Sequence, residues 1–272
     1  MPSQSRLRLR REDIDTKVEE VVLHFNPQAL NRLRSPIYEV VTGLKEVYHV
    51  PFHFDQDLGY SARGKKILGR FDYQPRQILI DKILPSDSPR FRWTLAHEVG
   101  HFVLHRKLNP RMISRDTPQL VDTREELRFI RTARWSELAW VEWQANQFAS
   151  GLLLPRAIVF TAVFEVQRQL NIPRPGSIYL DDQPWNVRDY ISILRHVAGK
   201  LSVSRTVLRI RLLNLGILTD ARRSSRDHVQ GALRALFSEE DSANKSMEPT
   251  EATRSSQSLS VSQQGLASAA HV

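Results

Sequence analysis

The chain has 272 residues, 41% hydrophobic and 25% charged, enough for one substantial core with appendages. It contains no cysteine, which excludes disulfides and thiolate metal ligands, and no apolar run approaches the roughly eighteen residues that span a bilayer. The formal charge is +9; residues from Phe237 to Val272 carry five acids and two bases, which leaves a body of +12 that favours acidic partners or nonspecific attraction to nucleic acid.

The stretch Met1 to Arg11 is basic but lacks the apolar segment of a secretory signal, so a cytoplasmic location is the expectation. Asp13 to Phe25 reads as a helix. A second helix runs to about His49, with Leu33, Ile37, Val40, Val41, Leu44 and Tyr48 on its apolar face. Ser35-Pro36 marks the start of its regular part, and Pro51 ends the pattern. Gly64 to Tyr73 and Gln77 to Asp81 read as a strand pair around a turn at Gln74-Pro75. Ile78 to Asp81 is the candidate edge strand for an extended peptide, with a purely structural hairpin as the equal alternative. Helices are expected at about Pro89 to Arg106, Arg124 to Leu154, Pro155 to Leu170, Val187 to Lys200 and Arg205 to Leu215. Pro173 to Trp185, rich in Pro, Gly and Asp, reads as a loop beside the active-site end. Ser204 is a good N-cap for the last helix and Gly216 a good stop. From Ser238 onward Ser, Gln, Glu and Ala dominate, the composition of a disordered tail.

Chemistry concentrates in His97-Glu98-Val99-Gly100-His101. Residues four apart share a helix face, so both imidazoles can point at one zinc ion, and Glu98 stands where a carboxylate can take a proton from the ion's water. Ser88-Pro89 gives this helix a start, and Phe91, Leu95, Phe102 and Leu104 suit it to burial. Gly100 in mid-helix costs about 1 kcal/mol relative to Ala, which points to a close approach by a neighbouring backbone or a substrate. A catalytic zinc takes a third protein ligand. His105 lies one turn further, but ligands at i, i+4 and i+8 spread over about 12 Å of axis, which favours a supporting or packing role. Lys107 stands where the metzincin pattern would need its third His. Downstream, Leu138, Val141, Ala145, Phe148, Ala149 and Leu152 form an apolar stripe; Glu142 borders it, and Asn146 can bond the free nitrogen of a ligating histidine. Glu137 is the substitute ligand.

These segments resemble the ImmA/IrrE-type zinc metallopeptidases of bacteria and their mobile elements. Thr94 to His105 matches the signature Thr-Leu-Ala-His-Glu-x-Gly-His-x-x-x-His, and Glu142 to Pro155 matches Glu-x-x-Ala-Asn-x-Phe-Ala-x-x-Leu-Leu-x-Pro. Leu154 replaces the usual Met. The resemblance takes in Gln77 to Asp81 and, more weakly, Leu201 to Gly216, which is similar to the family's trailing helix-turn-helix-like segment. It implies zinc held by His97, His101 and Glu142, with Glu98 as catalytic acid/base. It also implies an α+β, mostly helical fold: a zincin-like core with a small sheet beside the motif helix. The expected division is an N-terminal extension at 1–25, the metallopeptidase domain at 26–200, a helix-turn-helix-like segment at 201–236 and the tail at 237–272. One departure is a long gap between His101 and Glu142 holding Arg106, Arg111, Arg115, Arg124, Arg128, Arg131 and Arg134, read as a solvated basic face or a docking surface.

The expected activity is amide hydrolysis inside the cell, on a DNA-binding repressor as the resemblance implies. Tyr73, Tyr179, His196 and His228 are candidates for an oxyanion donor. Nucleic-acid binding is a possible but not the favoured role, because Arg is scattered without interleaved aromatics; Ile210, Leu212, Leu213 and Leu215 demand burial, so Leu201 to Gly216 should pack on the core. Two other functions compete. One is a regulator that keeps the scaffold without catalysis; the other is a structural zinc protein whose site His105 closes.

Overall fold

The computed structural model describes residues 9–61, 64–108 and 137–222. Outside them lie Arg111, Arg115, Arg124, Arg128, Arg131 and Arg134, the first part of the helix expected from Arg124, His228, the end of the 201–236 segment and the expected tail.

Helix α1 (Arg11–Phe25) buries Ile14, Val18 and Val22, one per turn along a single stripe. A 3-10 turn at Ala29–Asn31 leads to α2 (Ile37–Tyr48), which stops where His49 turns left-handed at φ 53°. Three strands follow: β1 (Phe52–Gln56), β2 (Gly69–Asp72) and β3 (Gln77–Asp81), in the sheet order β1-β3-β2. β2 and β3 are antiparallel, with Gly69 opposite Ile80 and Phe71 opposite Ile78, as the expected strand pair requires. β1 was absent from the sequence reading and pairs parallel to β3. This corrects the candidate edge strand. Ile78 to Asp81 lies in the centre with a neighbour on each side, so no peptide can add to it; β1 and β2 are the outer strands, and β2 packs on the motif helix. The buried Asp81 carboxylate accepts from the Leu58 and Ile83 amides at 2.7 and 2.9 Å and pairs with Lys66 at 2.7 Å, which ties the loop after β1 to the sheet.

Helix α3 (Pro89–Gly100) begins as its sequence indicates: Ser88 Oγ accepts from the Phe91 amide at 3.1 Å, and Pro89 occupies the first turn. It then leaves α geometry. His101–His105 form a π turn, where the sequence suggested unbroken helix to Arg106. α4 (Glu137–Leu153) crosses α3 closely enough that a Cβ on Gly100 would stand 3.1 Å from the Ala145 carbonyl oxygen, so the glycine serves backbone approach. α5 (Arg156–Gln169), β4 (Ile178–Leu180), α6 (Pro184–Leu201), α7 (Arg205–Asn214) and β5 (Leu218–Asp220) complete the fold. β4 falls inside the stretch read as a loop and pairs parallel with β5, a partner that local sequence does not reveal. Ser204 Oγ accepts from the Val207 amide at 3.2 Å, and Gly216 at φ 69° ends the α7 turn.

The core lies where α1, α3, α4, α5 and α6 bury apolar faces against one another and against β3, with Ile14, Ile80, Leu95, Phe148, Leu152 and Val159 fully enclosed. α7 packs on it as expected, through Leu212 but otherwise by a different set of residues. Leu208, Arg209, Arg211 and Leu212 are buried, while Leu213 is 37% exposed. Arg211 donates to Asp15 of α1 at 2.8 Å and to the Leu154 carbonyl at 3.0 Å, and Arg209 donates to Asp220 at 2.8 Å. Two arginines can therefore take apolar-face positions because their charges are matched. The architecture is α+β and mostly helical, with small sheets. Among the described residues no single helix is long and apolar enough to cross a membrane.

Candidate metal centre

The i, i+4 spacing on α3 turns His97 and His101 to one side, with ring centroids 4.6 Å apart. α4 brings Glu142 to meet them. The Nε2 atoms are 3.0 Å apart; Glu142 Oε2 lies 3.3 Å from His97 Nε2, and Oε1 lies 3.6 Å from His101 Nε2. These three residues form a group able to hold a metal ion. Four ligands at about 2.0–2.2 Å around a tetrahedral ion stand about 3.3–3.6 Å from one another, which the three separations approach. The side chain of Glu137, the substitute ligand, lies outside the described residues.

The far side of each ring is also engaged. His97 Nδ1 lies 2.8 Å from Asn146 Oδ1, one turn beyond Glu142. His101 Nδ1 lies 3.2 Å from His105 Nδ1, and His105 Nε2 lies 3.2 Å from Gln144 Oε1. His97 donates to Asn146, so its Nε2 presents a lone pair. When the His101 Nε2 is bare as well, two lone pairs face each other at 3.0 Å, an arrangement that a cation held by both relieves. The donor set therefore fits a metal ion. Its chemistry, two imidazoles and a carboxylate, is that of a borderline transition metal.

Burial sets the electrostatics. His97 and Glu98 are wholly buried; His101 and His105 are 2% exposed. Burial pushes the Glu142 carboxyl up, yet its electrostatic and hydrogen-bonding contacts with the His101 and His97 rings together win and hold it well below the usual carboxylate range. Burial raises the Glu98 pKa, the two imidazoles oppose it, and Glu142 reinforces it. Among the described residues neither Glu98 oxygen has a partner of full hydrogen-bond geometry; the Phe71 amide of β2 interacts with the carboxylate and opposes the rise only weakly. β2 lies directly against it: a Cβ on Gly69 would stand 2.8 Å from Glu98 Oε1 and 2.5 Å from Thr94 Cγ2. Burial lowers the His105 imidazole to about 3, with His101 adding to the effect, so it is neutral at any working pH.

The candidate donors separate cleanly. Tyr179 is 55% exposed on β4, and His196 bonds the Ser192 carbonyl at 2.7 Å on α6. The Tyr73 hydroxyl, just beyond β2, is buried and has no hydrogen-bond partner among the described residues; burial raises its pKa, and the charges of Glu142 and Glu98 raise it further. The sequence reading overlooked Gly69 and Gln144. Gln144 borders the apolar stripe of α4 on the side away from Glu142, where a polar residue reads as solvated surface.

Residues 62–172, which hold β2, β3, α3, α4, α5 and every residue of this site, match the family model of the IrrE N-terminal-like domain, a peptidase family. The match supports the ImmA/IrrE-type resemblance over that segment: a metallopeptidase-family domain with a His/His/Glu group that can bind metal. No curated protein matches the chain.

Proposed function

We propose that the protein is a zinc-dependent endopeptidase acting in the cytoplasm on a regulatory protein, a helix-turn-helix repressor by the family resemblance. The observation that carries the reading is the convergence of two imidazole nitrogens and a carboxylate within 3.0–3.6 Å, beside a buried Glu98. His105 supports a catalytic rather than a structural site. It meets the rear nitrogen of His101, so it does not serve as the fourth ligand that closes a structural zinc site.

Bound at His97, His101 and Glu142, zinc would acidify a water toward a pKa of about 7 and polarise the scissile carbonyl. Glu98 takes the water's proton and delivers it to the leaving amine, a task for which a raised carboxyl pKa is suited. Tyr73, a buried phenol near both carboxylates whose donor is unspent among the described residues, hydrogen-bonds the developing oxyanion. An extended substrate pairs with the outer edge of β2, beside α3.

The test is Glu98→Gln, which keeps the shape of the site. Both proteins should carry one zinc per chain, and only the unsubstituted one should cleave a repressor encoded nearby, with a loss of at least about 100-fold in the variant. Should Glu98→Gln act as well as the parent, a non-catalytic regulator built on this scaffold is the better reading.

A further inference from the structure

His105 has no part in the reaction above, yet it is enclosed to 2% exposure on the π turn that ends the motif helix. Its two ring nitrogens make the two contacts already described, to His101 Nδ1 and to Gln144 Oε1, each at 3.2 Å. A neutral imidazole has one N–H and one lone pair, so these contacts cannot be assigned independently. Gln144 presents an oxygen, so His105 donates from Nε2 and its Nδ1 becomes an acceptor. His101 must then donate from Nδ1, which leaves its Nε2 bare on the side of His97 and Glu142. The reverse order would place the His101 proton on Nε2, the atom 3.0 Å from His97 Nε2, and shut it to a metal.

We propose that Gln144 and His105 form a two-step hydrogen-bond relay that fixes the tautomer of His101 and so selects Nε2 as its metal-binding atom. The inference rests on reading His97, His101 and Glu142 as the ligands. It gives α4 a single organising role. That helix supplies Glu142, holds the His97 proton directly through Asn146, and holds the His101 proton at one remove through Gln144. His105 is a positioning residue, and α3 leaves α geometry at the residue where the relay begins.

The test uses the metal-free full chain, titrated with Co2+ and with Zn2+ against a chromophoric chelator. Unfolding curves serve as the control for folding. His105→Phe and Gln144→Leu should weaken binding about 10- to 100-fold, the range typical of lost outer-shell partners. The visible cobalt band at saturation should be unchanged, since no ligand is lost. His105→Gln should come within a few-fold of the parent, because an amide can accept from His101 and donate to Gln144. Long-range 1H–15N correlation on the zinc-loaded parent should show His101 protonated at Nδ1 and His105 at Nε2, a readout that needs no variant to fold. The relay is overturned by parent-like affinity in His105→Phe, by a saturated cobalt band altered as for a lost nitrogen ligand, or by a His105 proton on Nδ1. A parent chain that binds no ion defeats the ligand assignment itself, and the relay with it.

Discussion

Gly69→Ala tests how tightly strand β2 is set against the motif helix. The added methyl would stand 2.5 Å from Thr94 Cγ2, 2.8 Å from Glu98 Oε1 and 3.1 Å from Glu98 Cγ. Carbon atoms rest at about 3.5–4.0 Å, so the first contact is short by about 1 Å. β2 cannot retreat without breaking its ladder to β3, and Thr94 is wholly buried on α3. Overpacking of this kind costs about 1–3 kcal/mol, within the roughly 5–15 kcal/mol that holds a domain together, so the variant should fold. With a urea slope near 2 kcal/mol per molar, the midpoint of the metal-free chain should fall by about 0.5–1.5 M. Thr94→Ser removes the methyl that clashes, so the double variant Gly69→Ala/Thr94→Ser should recover at least about 0.5 kcal/mol relative to additivity. The Glu98 contact remains in the double variant, so peptidase activity should stay depressed by about 100-fold, the penalty of a reacting group displaced by about 1 Å. Zinc stoichiometry should not change, because no ligand atom is among the three contacts. Additive costs, or a loss under about 0.5 kcal/mol for Gly69→Ala alone, would refute the packing argument.

Tyr73→Phe should lower kcat about 100-fold while KM and zinc content hold, as for loss of one oxyanion donor; a change confined to KM would move the phenol into substrate binding. Glu142→Ala should abolish tight zinc uptake measured by elemental analysis. In the parent, zinc at about 1,000 times Kd should add about 4 kcal/mol to unfolding, read as a rise in Tm that the variant does not show. The Asp81 carboxyl is raised by burial, but Lys66 and the Leu58 and Ile83 amides outweigh this and depress its pKa below the model-peptide value. A depressed folded-state pKa adds stability that is fully present above the unfolded value and lost as pH falls through the folded one. Urea unfolding from pH 7 to pH 3 should therefore find Asp81→Asn well below the parent at neutral pH, with the gap closing below about pH 4; a constant gap would contradict the linkage.

Features written in short stretches of chain were the legible ones. Ser88-Pro89 and Ser204 mark helix starts because a cap needs only the next three residues, and both caps form as read. The spacing of His97 and His101 on one face, and of Glu142 and Asn146 on another, follows from helical periodicity alone. Which faces would meet, and in which register, came from the family resemblance. What stayed hidden depends on partners far along the chain. β1 is five residues long and half exposed, and its strand character comes from pairing with β3. β4 and β5 have three residues each and are strands only because they find each other across two helices. The buried face of α7 was read correctly at Leu212, but Arg209 and Arg211 were missed because they look like solvated residues until Asp220 and Asp15 are in place. Gln144 was hidden likewise, since its partner His105 is set by a π turn that helix propensity does not announce.

The distribution of hydrogen bonds around the site bears on its purpose. Burying four ionisable residues within nine positions of one helix is unfavourable unless their polar atoms are matched. A polar network built for stability would match them evenly. Here the matching is one-sided. At the rear, the Nδ1 atoms of His97 and His101 are held by Asn146 and His105, and His105 is held by Gln144. At the front, the two Nε2 atoms and the Glu142 oxygens have each other, while among the described residues neither Glu98 oxygen has a partner of full hydrogen-bond geometry. Neutral rings fixed from behind cannot turn to relieve the crowding of lone pairs in front, so the protein itself holds the unfavourable half of the arrangement in place. That is the geometry expected when the favourable half comes from a bound cation and a reacting molecule, and it is why a ligand site explains these residues better than a buried network does.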